Sequence, residues 1–168
     1  MIQIARHPEF FQSLRREVIE VLSTHGLKKT ALYELKLMDS VIKESQRMKP
    51  ILLSTMRRIA TKDIQLSSGF VIRKGDKLIV DSTTMWDSAY HENADKFDGY
   101  RFLKMRQESG KANAAQLAST SPDQMGFGHG LHSCPGRFFA SNEVKVVLSH
   151  LLLKYDWKIL DGYIPQNA

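Results

Sequence analysis

The sequence predicts a mainly α-helical chain with a small β-sheet set into its middle. Three observations carry this. Apolar residues recur at helical spacing at 10, 11, 14, 18, 21 and 22, and again through 138–153. Between these stretches, Asp63 to Ser82 breaks into short runs rich in Ile and Val, separated by Ser67-Ser68-Gly69 and by Lys74-Gly75-Asp76, which read as turns. At 168 residues, 42% apolar and 25% charged, the chain has the make-up of a globular unit with a core of its own.

The first helix is expected over residues 8 to 25, with Pro8 at a first-turn position and Gly26 as its stop. A second is expected over 31 to 48, its buried stripe formed by Leu32, Leu35, Met38, Val41, Ile42 and Met48. Glu44 and Arg47 lie three apart on that helix and share a face. Taken alone, such a pair is a solvated ion pair contributing roughly 0.2–0.5 kcal/mol. In the sheet region, Ile64 and Leu66 pair across Ser67-Ser68-Gly69 with Phe70-Val71-Ile72, and the next turn leads into Lys77 to Ser82. Residues 103 to 124 lack periodicity and are rich in Gln, Ser, Ala and Lys, which predicts an irregular surface meander. From Phe138 to Leu153, apolar residues cover most of a helix circumference, so this helix should be buried on several sides. Tyr155 to Ile159 is expected to return as a strand.

Charge and composition exclude several classes. The net charge is +6, which suits acidic partners or surfaces. Nucleic acid is a poor fit, because Lys28-Lys29 and Arg57-Arg58 are isolated pairs with no basic stripe interleaved with aromatics. No run approaches the ~18 apolar residues of a membrane span, and Met1 to Ala5 is not a signal peptide. A single cysteine rules out an intrachain disulfide and fits a reducing compartment.

That cysteine sits in the most specific stretch of the chain, Phe127-Gly-His-Gly-Leu-His-Ser-Cys134-Pro-Gly-Arg-Phe-Phe-Ala140. A glycine-rich loop gives way there to a helix, so amide N–H groups and the positive helix end should face the sulfur and favour a thiolate. Glycines 128, 130 and 136 allow positive φ and close approach of backbone to a bulky ligand, and Pro135 suits a first helical position. The same residue types also serve other chemistries. His129, His132 and Cys134 are all possible zinc ligands, but a structural site wants four, usually from two segments, and there is no second cysteine. A Cys134 nucleophile with His132 as base lacks any cysteine-protease signature.

Phe, three residues, Gly, one, a basic residue, one, Cys, one, Gly resembles the haem-ligating loop of the cytochrome P-450 family. The His-Gly before it and Cys-Pro-Gly-Arg-Phe-Phe-Ala after it resemble filamentous-fungal members. The resemblance implies that Cys134 is the axial iron ligand and the metal-binding residue, with Phe127 beside the sulfur and Gly130 and Gly136 shaping the haem-binding loop. His132 stands where an arginine usually meets a haem propionate; an imidazole titrates near neutrality and is the weaker donor. Arg58 resembles the basic residue that reaches the second propionate, with Arg57 as its competitor, and Leu52, Leu53 and Ser54 lie in the segment that borders substrate. His7-Pro8-Glu9 and Leu14-Arg15 resemble the helix that follows the oxygen-binding helix. Glu44 and Arg47 match the family's Glu-x-x-Arg, and Phe97-Asp98-Gly99-Tyr100-Arg101-Phe102 resembles the later segment that supplies the third member of a buried structural charge network, here Arg101. Tyr100 stands where an acidic residue is common.

The implied fold is therefore the C-terminal, haem-binding part of the P-450 fold, incomplete, with residues 1–168 forming one partial domain. The oxygen-binding helix, with its acid and threonine, has no counterpart. Asp81-Ser82-Thr83-Thr84 comes after Glu44-Arg47 and follows a strand pattern, so it is rejected as that site. No catalytic residue is assigned within the chain. The implied activity is oxidation of a hydrophobic small molecule with dioxygen, using haem and electrons from a reductase, in fungal terpenoid or other secondary metabolism. The competing expectation is a truncated, non-catalytic fragment that keeps the haem-binding loop. Full-length relatives imply the cytoplasmic face of the endoplasmic reticulum membrane.

Overall fold

The computed structural model describes residues 1–163. A short helix α1 (Ile2–Arg6) leads into α2 (Glu9–His25), which Pro8 opens at φ −61° and Gly26 closes at φ +66°, its amide bonded to Leu22 O at 2.8 Å. Phe10, Phe11, Leu14 and Val18 form the buried face of α2, following the expected period.

The helix expected over 31–48 is two helices, α3 (Lys29–Glu34) and α4 (Lys36–Met48), broken at Leu35. Leu35 is fully buried at ψ 69°, outside the helical region. The break frees the first amides of α4, and the Glu17 carboxylate accepts from Leu37 N at 2.6 Å and Met38 N at 2.9 Å. Burial nevertheless pushes the Glu17 carboxyl up from its ordinary range. Leu14, Val18, Leu35, Met38 and Val41 meet Leu148 and Leu152 from the last helix in one apolar core. Each such side chain contributes roughly 1.5–3 kcal/mol by leaving water.

The β region is two separate antiparallel pairs. The strand β1 (Ser54–Ile59) lies ahead of the region read as strands, while β2 (Ile64–Gln65) and β3 (Val71–Ile72) form the expected hairpin, shortened to two residues a side. The strand β4 (Lys77–Asp81) pairs with β1, with Thr55 opposite Val80 and Arg58 opposite Leu78. A bulge between them holds Met56 at φ +52°. After β4, Asp81 ends the strand and caps a 3-10 turn, Thr83–Trp86, accepting from Thr83 N at 3.0 Å and Thr83 Oγ1 at 2.8 Å. Those bonds hold the Asp81 carboxyl below its usual range.

The meander differs from its expectation. It opens with α5 (Arg101–Gln107), and Ala115, Leu117, Ala118 and Gln124 are buried. Buried polar groups on α4 hold it: Lys43 Nζ donates to Ala114 O and Gln116 O, both at 2.7 Å, and the Asp39 carboxylate accepts from Leu117 N at 2.8 Å.

The last helix, α6 (Arg137–Lys154), is buried on one face only, through Ser141, Lys145, Leu148, Ser149 and Leu152. Phe138, Phe139, Val144, Val147 and Leu153 are exposed. Its all-round apolar pattern thus exceeds what α2 and α3 cover. Tyr155 to Ile159 is extended but joins no ladder among the described residues. The segment is held by side chains instead: Arg15 reaches Tyr155 O at 3.1 Å and Asp156 at 2.7 Å, and Trp157 Nε1 donates to Met1 O at 3.3 Å.

Candidate functional site

The cysteine loop is closed by its own backbone. Cys134 N donates to Phe127 O at 2.8 Å, bringing the two ends of the expected site together, and Gly128 (φ +70°) and Gly130 (φ +74°) make the turns between them. Cys134 O accepts from Arg137 Nη1 at 2.9 Å and from Arg137 N at 3.4 Å. Two expectations change here. The helix begins at Arg137, with Gly136 as its N-cap at φ −84°, so neither Pro135 at a first helical position nor a positive φ at Gly136 is found. Glycine at 136 instead leaves space, since a Cβ there would sit 3.9 Å from the sulfur. Among the described residues no N–H donates to Cys134 Sγ; the amides of Cys134 and Arg137 go to the Phe127 and Cys134 carbonyls.

Cys134 is half-buried and its thiol is in no disulfide. Around it lie exposed apolar side chains, Leu131 at 95% and Phe139 at 72% exposure, and the exposed imidazole of His132 in a one-turn 3-10 helix. The His129 Nδ1 atom is buried without a partner. The loop also borders β1, for a Cβ on Gly128 would meet Met56 at 3.9 Å. Arg58, two residues further along β1, is exposed, and its Nη1 donates to Arg57 O at 2.7 Å. Leu52, Leu53 and Ser54 are exposed at the start of the same strand. Phe127, Gly130, His132, Cys134 and Gly136 thus share one loop, with Arg58 on the strand beside it. Among the described residues no three His, Cys, Asp or Glu side chains gather as a metal cluster. An unbridged thiol beside bare apolar surface and exposed basic groups fits a flat apolar ligand with a thiolate-binding metal at its centre and acidic edges.

Glu44, Arg47 and Arg101 meet. Both Glu44 and Arg47 are fully buried, joined by Arg47 Nε to Oε2 and Nη2 to Oε1, each at 2.8 Å. Arg101 Nε reaches the same carboxylate at 3.0 and 3.1 Å. The remaining guanidinium donors hold loop carbonyls: Arg47 takes Met85 O and Ala94 O, and Arg101 takes Glu92 O and Asn93 O. The network therefore ties α4 and α5 to the 85–96 segment.

A second buried charge cluster has no counterpart in the sequence reading. Asp39 pairs with Arg106 at 2.7 Å and with Lys145 on α6, and Lys145 also donates to Leu32 O at 3.1 Å. Lys43, one turn along α4, is buried against the Phe102 ring, and burial lowers its ammonium to about 8. The one signal available was the acid-then-lysine spacing of Asp39 and Lys43, which a solvated helix face shares.

The family model for cytochrome P450 matches residues 1–167. The cytochrome P450 monooxygenase eqxH of Fusarium heterosporum is 53% identical over 172 residues, covering 100% of this chain and 34% of that protein. Cytochrome P450 monooxygenase 1 of Gibberella fujikuroi is 54% identical over 96% of the chain and 37% of its own length, and calE of Penicillium decumbens is 53% identical over 98% and 32%. The chain spans about a third of the length of these curated relatives. With this match running nearly end to end and the free thiol in its loop, the chain belongs to the cytochrome P450 family.

Proposed function

We propose that this chain is the haem-holding part of a haem-thiolate monooxygenase in which Cys134 is the iron's protein ligand. The observation that carries the reading is the sole cysteine, unbridged and half-buried, in a loop closed by the Cys134 N to Phe127 O bond. When bound, haem supplies dioxygen activation, with a thiolate ligand favouring O–O cleavage. The residues present do the holding: the Phe127–Cys134 backbone bond fixes the loop, Gly136 leaves room at the sulfur, and His132 and Arg58 offer donors for the propionates. Glu44, Arg47 and Arg101 keep the flanking segments in register and do no chemistry.

Electrons come from a reductase, for which the +6 balance offers attraction to an acidic partner. The substrate is a hydrophobic small molecule that touches the Leu52 to Ser54 strand entry, in fungal terpenoid or other secondary metabolism. The holoprotein works at the cytoplasmic face of the endoplasmic reticulum; no described helix is long and apolar enough to cross a membrane. Ferric electron paramagnetic resonance of the haem-loaded protein tests the ligand. A low-spin thiolate signal in wild type that disappears in Cys134→Ala is expected; the same signal in both proteins removes the proposal.

A second reading applies to residues 1–168 by themselves, and the bare apolar side of α6 favours it. Alone, this chain is a non-catalytic piece that keeps the haem loop. Substrate-coupled reductant oxidation by the isolated chain separates the two.

A further inference from the structure

We infer that Lys145 is a positioning residue for Cys134, acting through its ion pair with Asp39. This rests on Cys134 being the haem ligand.

The helix α6 is held unevenly along its length. Its buried face is not uniform, for Leu148 and Leu152 lie in the C-terminal half, whereas the half next to the cysteine loop buries Ser141 and Lys145. Apolar contact with the core therefore clamps the far end, where Arg15 Nε also donates to Leu152 O at 2.6 Å. Between Arg137 and Lys145 the only polar links to other helices, among the described residues, come from one ammonium. Lys145 Nζ meets the Asp39 carboxylate on α4 and Leu32 O at the end of α3. Arg137 turns back onto Cys134 O and holds the loop to the helix, not to the body. The cysteine loop is thus fastened to the first two turns of α6, and Lys145 is the polar tether of those turns to the body.

The post that receives this tether is rigid. Asp39 is buried and also binds Arg106 Nη2 at 2.7 Å and Leu117 N at 2.8 Å, so α5 and the meander hold it in place. A charge-assisted contact to a fixed carboxylate sets direction as well as distance, which apolar packing does not. The thiolate geometry at a metal depends on such supporting contacts.

Hydrogen exchange read by mass spectrometry, together with the reduced carbon-monoxide spectrum, tests this on the haem-loaded protein. Lys145→Met should speed exchange of the 134–145 amides about tenfold while leaving Leu14–Val18 in α2 unchanged, because a local opening is released and not global unfolding. The same variant should lose part of its thiolate-type Soret band, and Lys145→Arg should restore both. Leu148→Val, which trims packing on the same helix, should lower the melting temperature without selective exchange near Cys134. If Lys145→Met does not fold, Lys145→Gln keeps a donor and replaces it. Unchanged exchange in the Lys145 variant, or equal loosening by Leu148→Val, overturns the inference. A wild-type protein with no thiolate Soret band overturns the haem reading instead, and the exchange data still decide the tether.

Discussion

Glu44 is one buried carboxylate held by two guanidiniums and the Asp98 amide, so removing it strands the fully buried Arg47 cation and unpairs the part-buried Arg101. Glu44→Ala should cost roughly 3–5 kcal/mol in denaturant unfolding. Haem retention should fall with it; full stability with selective loss of turnover would mean a chemical role. Lys43 gives a pH signature. Its ammonium is lowered to about 8 by burial, so between that pH and the ordinary lysine range of about 10.4 the unfolded chain binds the extra proton. Stability should therefore rise with pH through this window, by on the order of 3 kcal/mol, and be lost again as pH falls through about 8. Lys43→Met should flatten that slope in unfolding curves at stepped pH, and a slope kept in the variant would show that Lys43 is not its source. At this scale the Glu44, Arg47 and Arg101 positions were legible, because their spacing and order matched a family pattern. Asp39, Lys43 and Lys145 were not: nothing in a lysine's type says whether its ammonium meets water or a buried carboxylate.

Between elements, the closest fit is at Gly99, just before α5. A Cβ there would stand 2.6 Å from the Phe10 ring and 3.0 Å from Val41, so α2, α4 and the α5 entry meet with no room for a methyl group. Gly99→Ala should destabilise by about 1–3 kcal/mol through overpacking, seen as a lower denaturant midpoint with the slope unchanged. An unshifted midpoint would show that the helices part freely at this point. The helical period of α2 was legible because one face of it is apolar and its caps are Pro8 and Gly26. The break at Leu35 was not, since it depends on Glu17, eighteen residues upstream, capping the new helix start. Likewise β1 was missed because Ser-Thr-Met-Arg-Arg-Ile alternates poorly and is a strand only through its pairing with β4. Tyr155–Ile159 has strand-like residues but pairs with no strand among the described residues.

Across the whole molecule, the apolar side of α6 and the Ile51 to Leu53 entry face water, with Ile51 at 89% exposure. Residues 1–168 expressed alone should bind a hydrophobic dye strongly and self-associate, and should not couple reductant oxidation to substrate. A monomer with coupled turnover would contradict this. The helical class and the cysteine loop were legible because both are local patterns. The one-sided burial of α6 was not, because its apolar pattern registers every surface the helix is made to meet, whichever of them this chain supplies. The most direct measurement of the central claim is the reduced carbon-monoxide difference spectrum of the haem-loaded protein, wild type against Cys134→Ala. A thiolate-type Soret band in wild type and none in the variant is the result predicted. An identical band in both proteins would contradict the assignment of Cys134 as the iron's ligand.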